Sequence, residues 1–301
     1  MNYLKRIGKY WNKPKHAAYL FVLPALSVIF VFTVIPLLAS FVISGFDITT
    51  ALSNASFVGL DNYRQMLRDE RFINACRITA RFTLIDVPAQ VIFALIIATM
   101  VRGEKRIIKF YRAVYFLPII CSPTALGIMW SIFLHPNAGW LPYVLTKLHF
   151  PQCSFLRDPK TALATIVAID VWRNFGITMT IFVAAIQGVP ETLFEAAEID
   201  GASKVKQFFH VTIPGIFDTL WFIIISRIIA TLQVFDIVFT TTKGGPAYTT
   251  ETIVTYVYTR AFERTAQLGY STAMAEGLFL VILIITIGLY SLMRKQEKER
   301  Y

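Results

Sequence analysis

Charge is scarce in this sequence. Asp, Glu, Lys and Arg together make up 16% of its 301 residues, whereas a soluble domain carries roughly a quarter. Histidine and cysteine are nearly absent too. The four histidines are scattered, and Cys76, Cys121 and Cys153 lack metal-ligand spacing. No catalytic nucleophile–base arrangement and no metal site are therefore legible. There is also no phosphate-cradling G-x-x-x-x-G-K-S/T, and Gly8-Lys9-Tyr10 does not form one. The chain is not expected to be an enzyme or to hold a cofactor of its own.

Apolar length is abundant. Hydrophobic residues make up 55% of the chain and mean hydropathy is +0.57. They fall in runs of about 20 residues or more, long enough at about 1.5 Å per residue to cross a hydrocarbon layer of ~30 Å. The expected fold is an all-α membrane protein with six spans, at 17–43, 82–101, 113–134, 161–187, 216–240 and 271–293. The first run, about 27 residues, is too long for a signal-peptide core and has no convincing cleavage site, so it is read as a retained span. Residues 1–16 form an N-terminal segment, 17–293 the membrane domain and 294–301 a tail. Pro118, Pro123 and Gly127 predict a bend in the third span.

The net charge of +10 does not point to nucleic acid, because the basic residues flank the apolar runs, as membrane orientation requires. With both termini in the cytoplasm, sixteen of the 29 Lys and Arg lie inside and eleven outside. The segment between the fourth and fifth spans breaks the bias, since its two lysines face four acids.

That segment, 189–214, reads as a helix-turn-helix. Pro190 suits a first turn and Glu191 complements the positive end of the dipole. Ala196 and Ala197 favour helix, and Gly201 supplies a left-handed stop. A second helix is expected from 203 to 211, ending before Pro214. The acids and alanines suit close docking on a partner. An amphipathic connector resting in the headgroups is the other reading, although such connectors favour Lys and Arg.

Charges within spans normally face a wet cavity or a protein interior. Asp170, Arg173, Asn174 and Thr178 share a helix face by spacings of three and four. Arg173 and Arg227 fall at depths of roughly 18 and 16 Å, near the midplane. Asp86, Gln90, Gln233, Asp236 and Glu276 lie toward the outer half. Such groups suit a hydroxyl-rich solute, with Trp172 or Phe175 against a sugar face. Equally, they suit structural ion pairs, such as Asp170 with Arg173. A proton relay in an ion-coupled transporter is a third reading.

Glu195-Ala196-Ala197, Asp200-Gly201-Ala202 and Ile213-Pro214 resemble the signature loop of binding-protein-dependent ABC importer permeases. Ile213 stands where that pattern usually has Leu. Phe57-Val58-Gly59-Leu60-Asp61-Asn62-Tyr63, Arg71-Phe72, Tyr115-Phe116-Leu117-Pro118, Gly244-Gly245-Pro246, Thr250-Glu251-Thr252, Ala261-Phe262 and Gly269-Tyr270 are similar to its carbohydrate branch, related to the maltose transporter. The resemblance covers 17–293. It implies a type I importer fold in the cell membrane, with 195–202 as a coupling helix seated on an ATPase. It also implies a second, related permease, two ATPase subunits binding ATP and Mg, an extracytoplasmic solute-binding protein, and a sugar as solute. A permease for glycerol phosphate would look closely similar.

Overall fold

The computed structural model describes residues 14–49, 55–151, 153–263 and 266–298. The expectation for the N-terminal segment falls largely on 1–13, outside the described residues, as does the end of the tail. The chain divides into two compact units.

The first unit comprises Met1–Met66 and Arg260–Glu276. Helix α1 (Pro14–Ile29) continues through a π turn (Phe30–Val34) into α2 (Ile35–Ile43). From Phe21 to Ile43 its side chains are mostly apolar and exposed, Phe21 being 85% exposed, as a lipid-facing helix requires. A short antiparallel hairpin follows, β1 (Phe46–Asp47) on β2 (Ser56–Phe57), with Phe46 opposite Phe57. Asn62, at the start of α3 (Asp61–Arg68), donates from Nδ2 to the carbonyls of Ser44 and Phe46 at 2.8 and 2.9 Å. A Cβ at Gly269 would collide with the Phe46 carbonyl. Two of the sequence strings thus meet here, and both are needed for the fit.

The second unit comprises Leu67–Thr259 and Gly277–Tyr301. Its spine is the packing of α4 (Glu70–Met100) on α8 (Ala162–Gln187). Val87, Val91, Ala94, Leu95 and Ala98 face Phe175, Met179, Phe182, Val183 and Ile186 in one buried cluster. Both sets follow the three-and-four spacing of a single helix face, and the alanines let the helices approach closely. Against α8 lies α5 (Arg106–Ile120), where Gly176 leaves no room for a Cβ beside the Tyr115 carbonyl. The chain continues through α6 (Pro123–Phe133), α7 (Trp140–Lys147), α9 (Glu191–Ile199), α10 (Lys204–Gln207), α11 (Ile213–Gly215), α12 (Phe217–Leu232), α13 (Asp236–Thr241), α14 (Ile253–Phe262) and α15 (Leu268–Lys298).

Among the described residues, four helical stretches are long and apolar enough to cross a membrane: Phe21–Ile43, Glu70–Met100, Ala162–Gln187 and Leu268–Gln296. The third span is bent, as Pro118, Pro123 and Gly127 predict, and the fifth is not the continuous helix expected. The third breaks at Cys121–Ser122, where α5 and α6 meet at 94°. The fifth bends by 74° at its start and breaks again at Gln233–Phe235 before α13. Six crossings result if each bent pair counts as one. The prolines announce the first of these breaks, whereas a hydropathy window registers composition but not backbone direction, so the interruptions of the fifth span escape it.

Candidate functional site

The segment between α8 and α12 forms an exposed elbow. Pro190 opens α9, and Gly201 at φ +71° closes it. The Ala202 N–H donates to the Ala197 carbonyl at 2.8 Å and the Gly201 N–H to Glu198 at 3.0 Å, the paired bonds of a left-handed glycine cap. Ser203 then caps α10, accepting from the Lys206 N–H. Glu195, Ala196, Asp200 and Gly201 are exposed, while Ala197 and Ala202 are half-buried. Among the described residues, nothing beyond its chain neighbours lies within 4 Å of where a Gly201 side chain would stand. Ile199 beside it is 87% exposed.

The second elbow helix does not stop before Pro214. After α10 the backbone widens into a π turn, Phe208–Thr212, and continues through Pro214 to Gly215. Proline has no N–H to contribute to a tight ladder, and placing it in the first turn after the widening avoids a break. Phe194 anchors the elbow from below. It is buried, with the Arg102 guanidinium 5.1 Å above its ring.

A polar cleft lies along α12. Arg227 Nη2 donates to Asp86 Oδ2 on α4 and Asp170 Oδ2 on α8, each at 2.8 Å. One guanidinium thus ties three helices, and Asp86 is fully buried. One turn along α4, Gln90 Nε2 donates to Thr178 Oγ1 at 2.9 Å. The expected Asp170–Arg173 pair is not formed. Asp170 is taken by Arg227, and Arg173 Nη1 instead donates to Asn174 Oδ1 at 3.2 Å. The Arg227 guanidinium, arriving from another helix, already holds the Asp170 carboxylate together with Asp86.

Asp170, Arg173, Asn174, Arg227, Gln233 and Asp236 line one cavity of about 160 Å³. Its wall includes the break at Gln233–Phe235. Irregular backbone at membrane depth is tolerated where it lines a cavity, and Thr252 Oγ1 satisfies the freed Val234 carbonyl at 3.0 Å. Asp86 Oδ1, Gln90 Oε1, Arg173 Nε and Arg227 Nε are buried without a hydrogen-bond partner. Trp172 does not join this cavity. It stands edge-on to Trp130 at 5.3 Å and lines a separate apolar cavity of about 540 Å³. Phe175 is buried among Phe93 and Tyr115, so neither ring faces the cleft.

One arrangement went unread in the sequence. Arg71 Nε and Nη2 donate to the two Glu251 carboxylate oxygens, with Tyr248 4.0 Å from the guanidinium. Tyr256 donates from its hydroxyl to Asp69 at 2.6 Å. The strings Arg71-Phe72 and Thr250-Glu251-Thr252 were the only signal of it.

A family model described as "Binding-protein-dependent transport system inner membrane component" matches residues 90–297. Two Bacillus subtilis proteins, probable ABC transporter permease proteins YurN and YesP, are 31% and 32% identical to this chain. They cover 92% and 93% of it, and 94% and 91% of their own lengths. The sn-glycerol-3-phosphate transport system permease protein UgpA of Agrobacterium fabrum is 28% identical over 82% of this chain and 84% of its own. Among solved structures, a bacterial ABC transporter involved in the import of the acidic polysaccharide alginate aligns with a TM-score of 0.79. It covers 98% of this chain and 99% of its own at 21% identity, a likeness of fold.

Proposed function

Because this chain belongs to the family of binding-protein-dependent transport system inner membrane components, we propose that it is the permease subunit of an ABC importer for a sugar or oligosaccharide. It is a multi-pass membrane protein. In this reading a second, related permease completes the pathway, two ATPase subunits bind and hydrolyse ATP with Mg, and an extracytoplasmic binding protein delivers the solute. Both termini and the elbow lie in the cytoplasm.

The observation that carries the reading is the elbow itself. Glu195, Ala196, Ala197, Asp200, Gly201 and Ala202 form a capped, outward-facing knob that α10 and α11 connect to α12. ATPase closure pulls on this knob, α10 and α11 transmit the motion to α12, and Arg227 passes it to α4 and α8. The cleft is then exposed alternately to the two sides. The ATPase does the chemistry, and this chain converts it to displacement. An ATPase that fails to co-purify in mild detergent, or an elbow cysteine (Glu195→Cys) labelled only from outside, would refute the arrangement.

For the solute, the cleft favours neutral, hydroxyl-rich molecules over phosphate esters. The charged residues that line the cavity balance, Asp170 and Asp236 against Arg173 and Arg227, so a neutral solute leaves that balance intact, whereas an anion would add an uncompensated charge in a low dielectric. Asp170, Asn174, Gln233 and Asp236 offer hydrogen-bond groups to hydroxyls. Uptake of a glycerophosphate through the reconstituted complex, with neutral sugars not competing, would reverse this choice. Family membership displaces the ion-coupled transporter reading.

A further inference from the structure

A pocket of about 370 Å³ opens beneath the elbow, on the side facing the end of α4. Its walls are of two kinds. Phe194, Val205 and Phe208 make an apolar side, and Arg102 and Lys204 place two cations beside it. Thr99, Gln207 and Thr212 complete the lining.

Gln207 is buried and already committed. Its Nε2 donates to the Ala202 carbonyl at 3.2 Å, and its Oε1 accepts from Lys204 Nζ at 3.4 Å. Lys204 also faces Glu198 at 3.7 Å, with both side chains at least 70% exposed, a pair that contributes little. Arg102 rests on the Phe194 ring and keeps its charge uncompensated by any carboxylate among the pocket-lining residues. The pocket therefore carries a local excess of positive charge next to hydrocarbon walls. The chain leading from it, 102–112, adds Lys105, Arg106, Lys109 and Arg112 against a single acid, Glu104. Met100, Ile107, Phe110, Val205 and Phe209 are exposed apolar side chains in these same segments.

We propose that this pocket binds one anionic phospholipid of the cytoplasmic leaflet, with its phosphate between Arg102 and Lys204 and an acyl chain against Val205 and Phe208. A basic pocket at the cytoplasmic end of membrane helices suits such headgroups. A free phosphate would use the cations but leave the apolar wall bare, and a zwitterionic lipid would bring no net charge to them. The bound lipid bridges the end of α4 and α10, the two elements that hold the elbow in place. The site rests on the orientation proposed above for the elbow.

The test uses the assembled transporter in detergent, with phosphatidylglycerol or phosphatidylcholine added and retained lipid counted by native mass spectrometry. One phosphatidylglycerol per chain is expected to be retained. The double variant Arg102→Gln/Lys204→Gln should retain it about twenty-five-fold more weakly, each cation contributing roughly fivefold. Val205→Trp, which fills the pocket without changing charge, should also release it. Lys160→Gln, a cation elsewhere on the chain, should not. Equal retention of phosphatidylcholine, or full retention by the double variant, overturns the site. Lipid counting in detergent does not depend on sidedness. A misplaced elbow would instead show in the cysteine labelling, so the two failures read differently.

Discussion

Arg71 and Glu251, 180 positions apart, meet side-on, with both guanidinium nitrogens 2.7 Å from a carboxylate oxygen. Glu251 is only 1% exposed, and Arg71 lies between the Tyr248 and Tyr256 rings at 4.0 and 5.0 Å. The pair fastens the loop after α13 to the start of α4. Asp69 adds a second fastening, since it caps α4 by accepting from the Arg71 and Phe72 N–H groups and also takes the Tyr256 hydroxyl.

Removing one partner of this pair leaves the other buried and uncompensated. Arg71→Ala is expected to destabilise the chain by about 3 to 5 kcal/mol. The double change Arg71→Met/Glu251→Leu should recover most of that. Thermal unfolding of the purified complex tests both, and a double variant less stable than the single one would contradict the assignment.

At Gly201 the backbone and the docking surface separate cleanly. The left-handed φ penalises a β-branched residue by about 1 to 2 kcal/mol, while Asn enters that region readily. No neighbour within the chain resists a side chain there. Gly201→Asn is therefore expected to leave the chain's own stability unchanged while lowering uptake, because on the proposed docking the added side chain obstructs the ATPase subunit. Normal uptake with Asn would mean that nothing packs on this turn.

The three-helix tie predicts an asymmetry. Arg227→Met strands two carboxylates and should abolish both stable assembly and uptake, at a cost of about 3 to 5 kcal/mol. Asp170→Asn leaves a neutral Asp86–Arg227 pair and should be far milder. Melting temperature and initial uptake rate together distinguish the two, and equal losses would sink the asymmetry.

Gly176→Ala pushes a methyl group into the Tyr115 carbonyl. Backbone cannot yield as a side-chain tip can, so a loss of about 1 to 3 kcal/mol is expected. Expression and thermal stability in detergent are the readouts.

Much of this architecture is written locally in the sequence. The unbroken helices follow from apolar length. The elbow follows from Pro190, the alanines and Gly201, whose cap bonds form as the spacing implies. What escaped was long-range. Nothing near Arg227 in the sequence names Asp86 as a partner, and the spacing of Asp170 and Arg173 suggested a pair that geometry denies. The aromatic assignments failed for a related reason. Phe175 shares a helix with the cleft residues, but its side of α8 is claimed by Phe93 and Tyr115.

The interruption at Gln233–Phe235 leaves α12 only 16 residues long, about 24 Å against a hydrocarbon layer of ~30 Å. In the proposed arrangement the rod that receives the elbow's motion is therefore shorter than the hydrocarbon layer it enters. A twist applied at its base does not have to reach the outer rim undiminished, because an unwound knuckle intervenes. The two mouths of the pathway are free to move by different amounts in one stroke.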